Sequence, residues 1–449
     1  SYALAYKLPQ KAGKYKILIE VFDTGHDDAD EANKVWHTTK CENYVLISEG
    51  RISISFAEIS NNTCQVKANE KTTIKGTVSL SVLEKLASIE RFASTKTTVT
   101  EENGTTDTKW IKVSDCSSKY PYEENTVETE KITAKAEGGK IVWEDNIPAA
   151  MIVDGTQHFF YKATDIAGNS AEIELICNGD GTLPEIKNDS EVYEKYKGWV
   201  NSTSVKLSVI AADVNGYKPS GIAKVSYSYK KGDSDITGEL SRDGKPCNAD
   251  GKIVEDGKYY KYTATSDLSE TPSSGTMITF TAKDKVGNKS DMPPLAYKVD
   301  TTAPSAGTPS IVPSQVLNNS GSVVVTYSAS DALSGVKSVE FSTDSNMKDA
   351  KSVAEKAGTY AYPLAGLKDG ERTVYVRVTD NAGNRSESVS SGSFIVDNTP
   401  PKVTVTSPAS GNVVNKTISL SGTVVDNNLT KTTTPVLLYL DGAEWKKLT

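Results

Sequence analysis

Histidine is nearly absent from this chain: His26, His37 and His158 are the only three among 449 residues. None falls in an H-E-x-x-H pair, which excludes the helical zinc-protease signature. The chain also lacks a G-x-S-x-G nucleophile elbow, a P-loop and a G-x-G-x-x-G fingerprint, the local devices for acyl transfer, nucleotide hydrolysis and dinucleotide binding. Cysteine is sparse and odd in number, with Cys41, Cys64, Cys116, Cys177 and Cys247. No two form C-x-x-C, and the gaps of 23, 52, 61 and 70 fit no zinc module. Bridges Cys41–Cys64 and Cys116–Cys177 stand open beside a reading as small buried side chains, because spacing does not fix connectivity. No apolar run approaches the ~18 residues of a membrane span. A basic stripe is missing too: 50 Lys and Arg are interspersed with 58 Asp and Glu for a net charge of −8, which argues against a nucleic-acid partner. Ser1-Tyr2-Ala3-Leu4 runs at once into Lys7 and Pro9, unlike a secretory leader, so the chain reads as excised from something longer.

What is present supports folded domains. Hydrophobic residues make up 37% and charged residues 24%, outside the disordered range. At ~100–150 residues per domain the length suggests three or four.

A recurring block decides the architecture. A glycine is followed by apolar residues at every second position and then by aspartate: Gly13 to Asp23, Gly155 to Asp165, Gly275 to Asp284 and Gly370 to Asp380. Period-two alternation marks a strand with one buried face. The last three copies continue as Asp165-Ile-Ala-Gly168-Asn169, Asp284-Lys-Val-Gly287-Asn288 and Asp380-Asn-Ala-Gly383-Asn384. Gly-Asn supplies the positive φ of a tight turn, so the block predicts a β-hairpin. A second block closes each unit with aspartate and, four places on, proline: Asp180 to Pro184, Asp300 to Pro304 and Asp397 to Pro401. Proline is poorly tolerated inside sheets and marks a linker or an edge. A third block alternates through Ile74 to Leu80, Val205 to Ala211, Val323 to Ala329 and Ile418 to Val424. In the last three copies Asp213, Asp331 and Asp426 follow. Ser220-Gly221-Ile222 and Ser334-Gly335-Val336 come next in two of them. No long helical pattern interrupts these blocks, and short strands with frequent turns predict all-β sandwiches.

The Asp-x-Ala-Gly-Asn turn followed by Val-Asp300-Thr-Thr-Ala-Pro304 or Val-Asp397-Asn-Thr-Pro-Pro401 resembles the bacterial immunoglobulin-like repeats of giant adhesins and other cell-surface proteins. The resemblance covers residues 181–449 well and the first 180 more loosely. It implies tandem immunoglobulin-like β-sandwich domains forming an elongated rod. The expected division is 1–50 as a partial domain (last hairpin and tail), 51–180, 181–300 with an enlarged middle, 301–397, and 398–449 as a partial domain (first strands). Two departures stand out: residues 24–50 read as a long acidic tail to the first hairpin, and the second unit lacks the Asp…Ser-Gly loop.

In such a sandwich the loop after the second strand and the last hairpin turn lie at the pole where the chain comes in. Asp180, Asp213 and Asp284 should therefore meet in one unit, and Asp300, Asp331 and Asp380 in the next. Hard oxygen ligands from three loops suit Ca²⁺, which takes ~6–8 oxygens in flexible geometry. Some giant adhesins of the resembled family stiffen domain junctions in this way. Turn capping is the other reading, since aspartate at the first turn position binds its own backbone, and this alone accounts for Asp165, Asp284 and Asp380. The acidic run Asp27, Asp28, Asp30, Glu31 could add ligands or be a solvated loop; it does not match an EF-hand.

No catalytic residue and no required cofactor is expected. His158 reads as a strand residue at a sheet face, and Trp110, Trp199 and Trp445 as core. The stretch 229–275, with Tyr259, Tyr260, Tyr262 and Cys247, is the expected place for a specialised binding surface. The functional expectation is a non-catalytic extracellular repeat region of a bacterial surface protein, a stalk or adhesive module for a host or neighbouring-cell ligand, protein or glycan. The alternative is an accessory region of a secreted carbohydrate-active enzyme whose catalytic domain lies elsewhere. Self-association is left open.

Overall fold

The structure, a computed structural model, describes residues 13–24, 36–47, 51–80, 85–100, 106–120, 132–313, 316–318, 320–354, 357–413, 417–428, 438–441 and 444–447. Among them helix is confined to Ser190–Tyr193 and two short 3-10 turns; the regular structure is otherwise β-strand. The chain divides into two compact units. The first comprises Ser1–Asp189, Ser208–Ala264 and Thr279–Pro293, and the second Ser190–Leu207, Thr265–Ile278 and Pro294–Thr449.

The first unit opens with strand Gly13–Thr24 paired antiparallel to Trp36–Ile47, Gly13 opposite Ile47 and Thr24 opposite Trp36. Much of the expected acidic tail is thus the hairpin's returning strand. The acidic run Asp27 to Glu31 lies outside the described residues.

Next comes a sandwich. One sheet has the order Thr63–Lys67, Ser170–Asp180, Gly155–Asp165, Leu86–Thr100, Thr106–Tyr120. The other has the order Ile52–Phe56, Thr72–Leu80, Lys140–Ile147, Thr133–Glu137. The alternation read from the sequence is the buried face: Phe159, Tyr161 and Ala163 from the first sheet meet Ile74, Val78 and Trp143 from the second in one core. Gly76 makes room for the Trp143 ring that crosses it from the neighbouring strand of the same sheet. A Cβ there would lie 2.3 Å from the Ser55 carbonyl oxygen and 2.4 Å from the Trp143 ring, far inside contact distance. Each sheet's polar outer face follows from the same period.

Cys64 and Cys177 are register partners in the parallel pair of Thr63–Lys67 and Ser170–Asp180. Their sulfurs are 3.2 Å apart. Cys64 and Cys177 are free thiols, so of the readings left open neither Cys41–Cys64 nor Cys116–Cys177 is formed. The partner of Cys64 is set by a strand lying beside the last strand of the sandwich, a long-range placement that spacing does not encode.

Further along this unit, strand Ser234–Cys247 serves two partners. Ser234 to Leu240 pairs with Ile222–Lys231, and Ser241 to Cys247 pairs with Tyr259–Asp267 across an irregularity between Arg242 and Pro246. A strand that changes partners at such a bend is a known way to turn a sandwich corner. The residues singled out for a specialised binding surface divide here between core and sheet face. Tyr262 and Cys247 are buried. The Tyr259 hydroxyl donates to Glu185 Oε2 at 2.9 Å, and the Arg242 guanidinium covers the Tyr260 ring at 3.3 Å.

The second unit contains a sandwich with strands Ser305–Ala306, Ser322–Ser330, Ser310–Val312 and Ala357–Pro363 on one side. The other side has the order Val316–Leu317, Val389–Val396, Gly370–Asp380, Val336–Ser342, Lys351–Val353. Val323, Val325 and Tyr327 pack against Val339, Phe341, Val374, Val376 and Val378. Strands Lys402–Ser407 and Ser421–Val425 form a further antiparallel pair.

Candidate functional site

The site is built from strand ends. Strands Gly155–Asp165, Thr276–Asp284 and Gly370–Asp380 each terminate in an aspartate that the parity of the strand carries inward, and Asp165, Asp284 and Asp380 are all buried. A buried carboxylate must be paired or hydrogen-bonded. Here the turn supplies the donors. Asp165 Oδ1 accepts the Ala167 and Asn169 amides at 2.9 Å, and the Asn169 side chain donates to Oδ2. Asp284 Oδ1 accepts the Val286, Gly287 and Asn288 amides at 3.0, 2.6 and 2.8 Å. Asp380 Oδ1 accepts those of Gly383 and Asn384 at 2.7 and 2.8 Å. The turn glycines Gly168, Gly287 and Gly383 carry φ of 88°, 107° and 99°, which brings these amides round onto one oxygen.

The linker aspartates are held by the same logic. Thr182 and Thr302 amides donate to Oδ1 of Asp180 and Asp300 at 3.1 and 3.0 Å. Ser220 and Ser334 amides donate to their Oδ2 at 2.6 and 2.9 Å. The loop aspartates complete the set: Gly221 donates to Asp213 Oδ2 at 2.6 Å, and Gly335 to Asp331 Oδ2 at 2.7 Å. Asparagine ties hairpin to linker. Asn288 Nδ2 reaches the Asp180 carbonyl at 3.1 Å, and Asn384 Nδ2 the Asp300 carbonyl at 2.8 Å.

Asp180, Asp213 and Asp284 converge in the first unit, and Asp300, Asp331 and Asp380 in the second. In each trio one carboxylate oxygen per residue lies within 4.8 Å of the others. Two oxygens bound to one Ca²⁺ at ~2.3–2.6 Å lie at most about 5 Å apart, so the spacing suits a shared ion. An all-carboxylate donor set is hard and anionic, the chemistry Ca²⁺ prefers. Asp213 Oδ1 is buried without a hydrogen-bond partner, an orphaned acceptor inside the first trio. Burial, foremost, and the neighbouring Asp180 and Asp284 charges push the Asp213 carboxyl above the ordinary aspartate range, against the opposing pull of the Gly221 amide. Three like charges packed together and withdrawn from water call for a cation or a proton.

Capping and convergence therefore coexist in the same carboxylates. The serine and asparagine roles were not assigned from the sequence, although Ser-Gly after the loop aspartate and Gly-Asn in the turn were its visible marks. Asp165 takes the turn role in a sandwich that has no loop aspartate of the Ser-Gly type.

Trp110 is half-buried on a sheet face, not in the core as expected, and stacks on His158 with ring centroids 4.6 Å apart. His158 Nδ1 lies 2.6 Å from Glu174 Oε1. The tryptophan in the core of this sandwich is Trp143. Trp199 is half-buried, with Lys298 Nζ 5.7 Å from its ring.

Comparison with known proteins shows what the chain is similar to. A tetra-tandem repeat from the extending region of a large adhesion protein is 15% identical with a TM-score of 0.25, over 86% of this chain and 82% of that one. A structure described for host cell surface retention of a 1.5-MDa bacterial ice-binding adhesin is 14% identical with a TM-score of 0.27, over 77% of this chain and 97% of that one. No curated protein matches the sequence. Residues 322–398, with the strand, loop and hairpin that carry Asp331 and Asp380, match the family model described as bacterial Ig-like domain.

Proposed function

We propose that the chain is a non-catalytic, extracellular repeat region of a bacterial surface protein that works as a stalk or adhesive module, with Ca²⁺ held by its two aspartate trios. The modules are those expected from the sequence: 1–50, 51–180, 181–300, 301–397 and 398–449. The observation that carries the reading is the repetition of one arrangement. Linker aspartate, loop aspartate and hairpin aspartate come together twice, with the same serine, glycine and asparagine partners. An arrangement repeated along a chain, built where one module hands over to the next, serves the junction more readily than it serves a reaction. Asp180, Asp213 and Asp284 would hold one ion, and Asp300, Asp331 and Asp380 the other. The ion supplies charge compensation and cross-links three loops.

The test combines scattering and melting. Small-angle X-ray scattering on the full chain with Ca²⁺ should give a rod profile with a maximum dimension of about 150 Å or more, from ~40 Å per sandwich plus linker. A single compact body would overturn the stalk. Melting in Ca²⁺ should exceed melting in chelator, because a ligand bound by the folded form alone adds about 2.7 kcal/mol at a hundredfold excess over Kd. Equal melting would overturn the metal assignment while leaving the stalk untouched.

One observation favours the second reading, an accessory module for a carbohydrate-active enzyme. The half-exposed Trp110–His158 stack offers a flat ring of the kind that sugars lie against. Retardation on polysaccharide-containing native gels that is lost in Trp110→Ala would support it.

A further inference from the structure

We propose that Cys64 and Cys177 are a disulfide site, joining the first strand of one sheet to its last. The two residues are direct register partners in a parallel pair. Neighbouring strands run ~4.8 Å apart, inside the ~4.4–6.8 Å Cα separation that disulfides span. The sulfurs already face each other at 3.2 Å as free thiols, so bond formation needs a small approach and no backbone rearrangement. Cys177 is fully buried in the sandwich core, and Cys64 packs against that core from the edge strand.

The environment orders the chemistry. Cys64 is the more accessible member, and the hydrogen bond it shares with Cys177 lowers its pKa, favouring thiolate. Cys177 is pushed far up by that same hydrogen bond and by burial, so it stays a thiol until engaged. With a small-molecule disulfide as oxidant, the Cys64 thiolate attacks one donor sulfur, forms a mixed disulfide and expels one donor thiolate. The Cys177 thiol then gives up its proton and attacks the Cys64 sulfur, expelling the second donor thiolate. Two cysteine thiols lose two electrons and two protons, and one donor disulfide becomes two thiols.

The product closes a loop across a sequence separation of 113, which contains nearly the whole sandwich. Long loops are where cross-links restrict the unfolded chain most. Cys64 sits in the edge strand, whose one neighbour in the sheet is the last strand, so the bond secures the strand with fewest other ties.

The experiment uses the intact chain. It is equilibrated with oxidised glutathione or with a phosphine reductant, alkylated, and digested with trypsin without reduction. In the oxidised sample, mass spectrometry should find the peptide 52–67 joined to 163–187; in the reduced sample, both peptides should be alkylated and separate. Reduction should lower the melting of this sandwich by about 10 °C, and Cys64→Ser should make melting insensitive to reductant. Alkylated Cys64 and Cys177 surviving oxidation, or Cys64 joined instead to Cys41 or Cys116, would overturn the proposal whatever the variant does.

Discussion

Arg91 and Asp145 meet inside one sandwich from opposite sheets. Arg91 Nη1 donates to Asp145 Oδ2 at 2.8 Å, with the side chains 1% and 0% exposed. The Tyr161 hydroxyl donates to the same oxygen at 2.7 Å, and Arg91 Nε reaches Ser117 Oγ at 3.1 Å. Asp145 Oδ1 is left without a partner. A buried pair of this kind costs desolvation and is most damaging when broken on one side. Asp145→Ala should destabilise this sandwich by about 3–5 kcal/mol, since it strands a guanidinium in the core. Replacing Arg91 with Met and Asp145 with Leu together should recover most of that loss. Urea unfolding of the three chains measures both, and an Asp145→Ala loss below ~1 kcal/mol would refute the pair's role.

The aspartate trios separate two roles by position. Asp331→Asn keeps the loop's shape and removes one anionic ligand, so it should abolish the Ca²⁺-dependent rise in melting from its trio while changing stability in chelator little. Asp380→Ala removes the acceptor of the Gly383 and Asn384 amides as well. It should cost about 1–3 kcal/mol even without calcium, because buried amides lose their partner. Calorimetry of both variants in both media gives the four values needed.

Asp213 gives the pH dependence. Its carboxyl titrates above the ordinary aspartate value in the folded chain. The folded state therefore holds a proton that the unfolded state has already released. In chelator this contribution is fully present below the ordinary value of about 3.9 and is lost as pH rises through the raised one. Added Ca²⁺ should oppose that loss, because the ion competes with the proton. Asp213→Asn should flatten the profile in chelator, as read from melting across mildly acidic pH.

Glycines at two positions should fail for different reasons. Gly76→Ala drives a Cβ into the Ser55 backbone and the Trp143 ring and should cost about 2–3 kcal/mol. Gly168→Ala meets open space but must hold φ near 88°, and should cost about 1 kcal/mol. Equal losses would mean that the packing of the Trp143 ring does not depend on the missing side chain.

The hairpins were legible because each rests on a local rule: period two decides which face is buried, and a fixed offset puts aspartate at the strand's inward end. The meeting of the linker and loop aspartates with them followed from the topology of the resembled sandwich. What escaped was set by distant partners. Asp145 follows Trp143 and precedes Ile147 on the inward parity, yet a lone charge in a strand reads as solvent-facing until Arg91 arrives from the other sheet. Trp110 turns outward beyond register shifts near Phe92 and Ser94 that no local pattern announces. Cys64 finds Cys177 because an early strand runs parallel to the last one, a pairing decided by topology.

That parallel placement recurs. Trp199–Val200 runs alongside Lys289–Val299, and Val316–Leu317 alongside Val389–Val396. When tension arrives through the ends of a sandwich built this way, the two strands slide past one another instead of peeling apart, and every hydrogen bond between them is loaded at once. Resistance to pulling then grows with the length of the shared register. The five-residue pairing around Cys64 should yield last, and the two-residue pairings should be the extensible links of the chain.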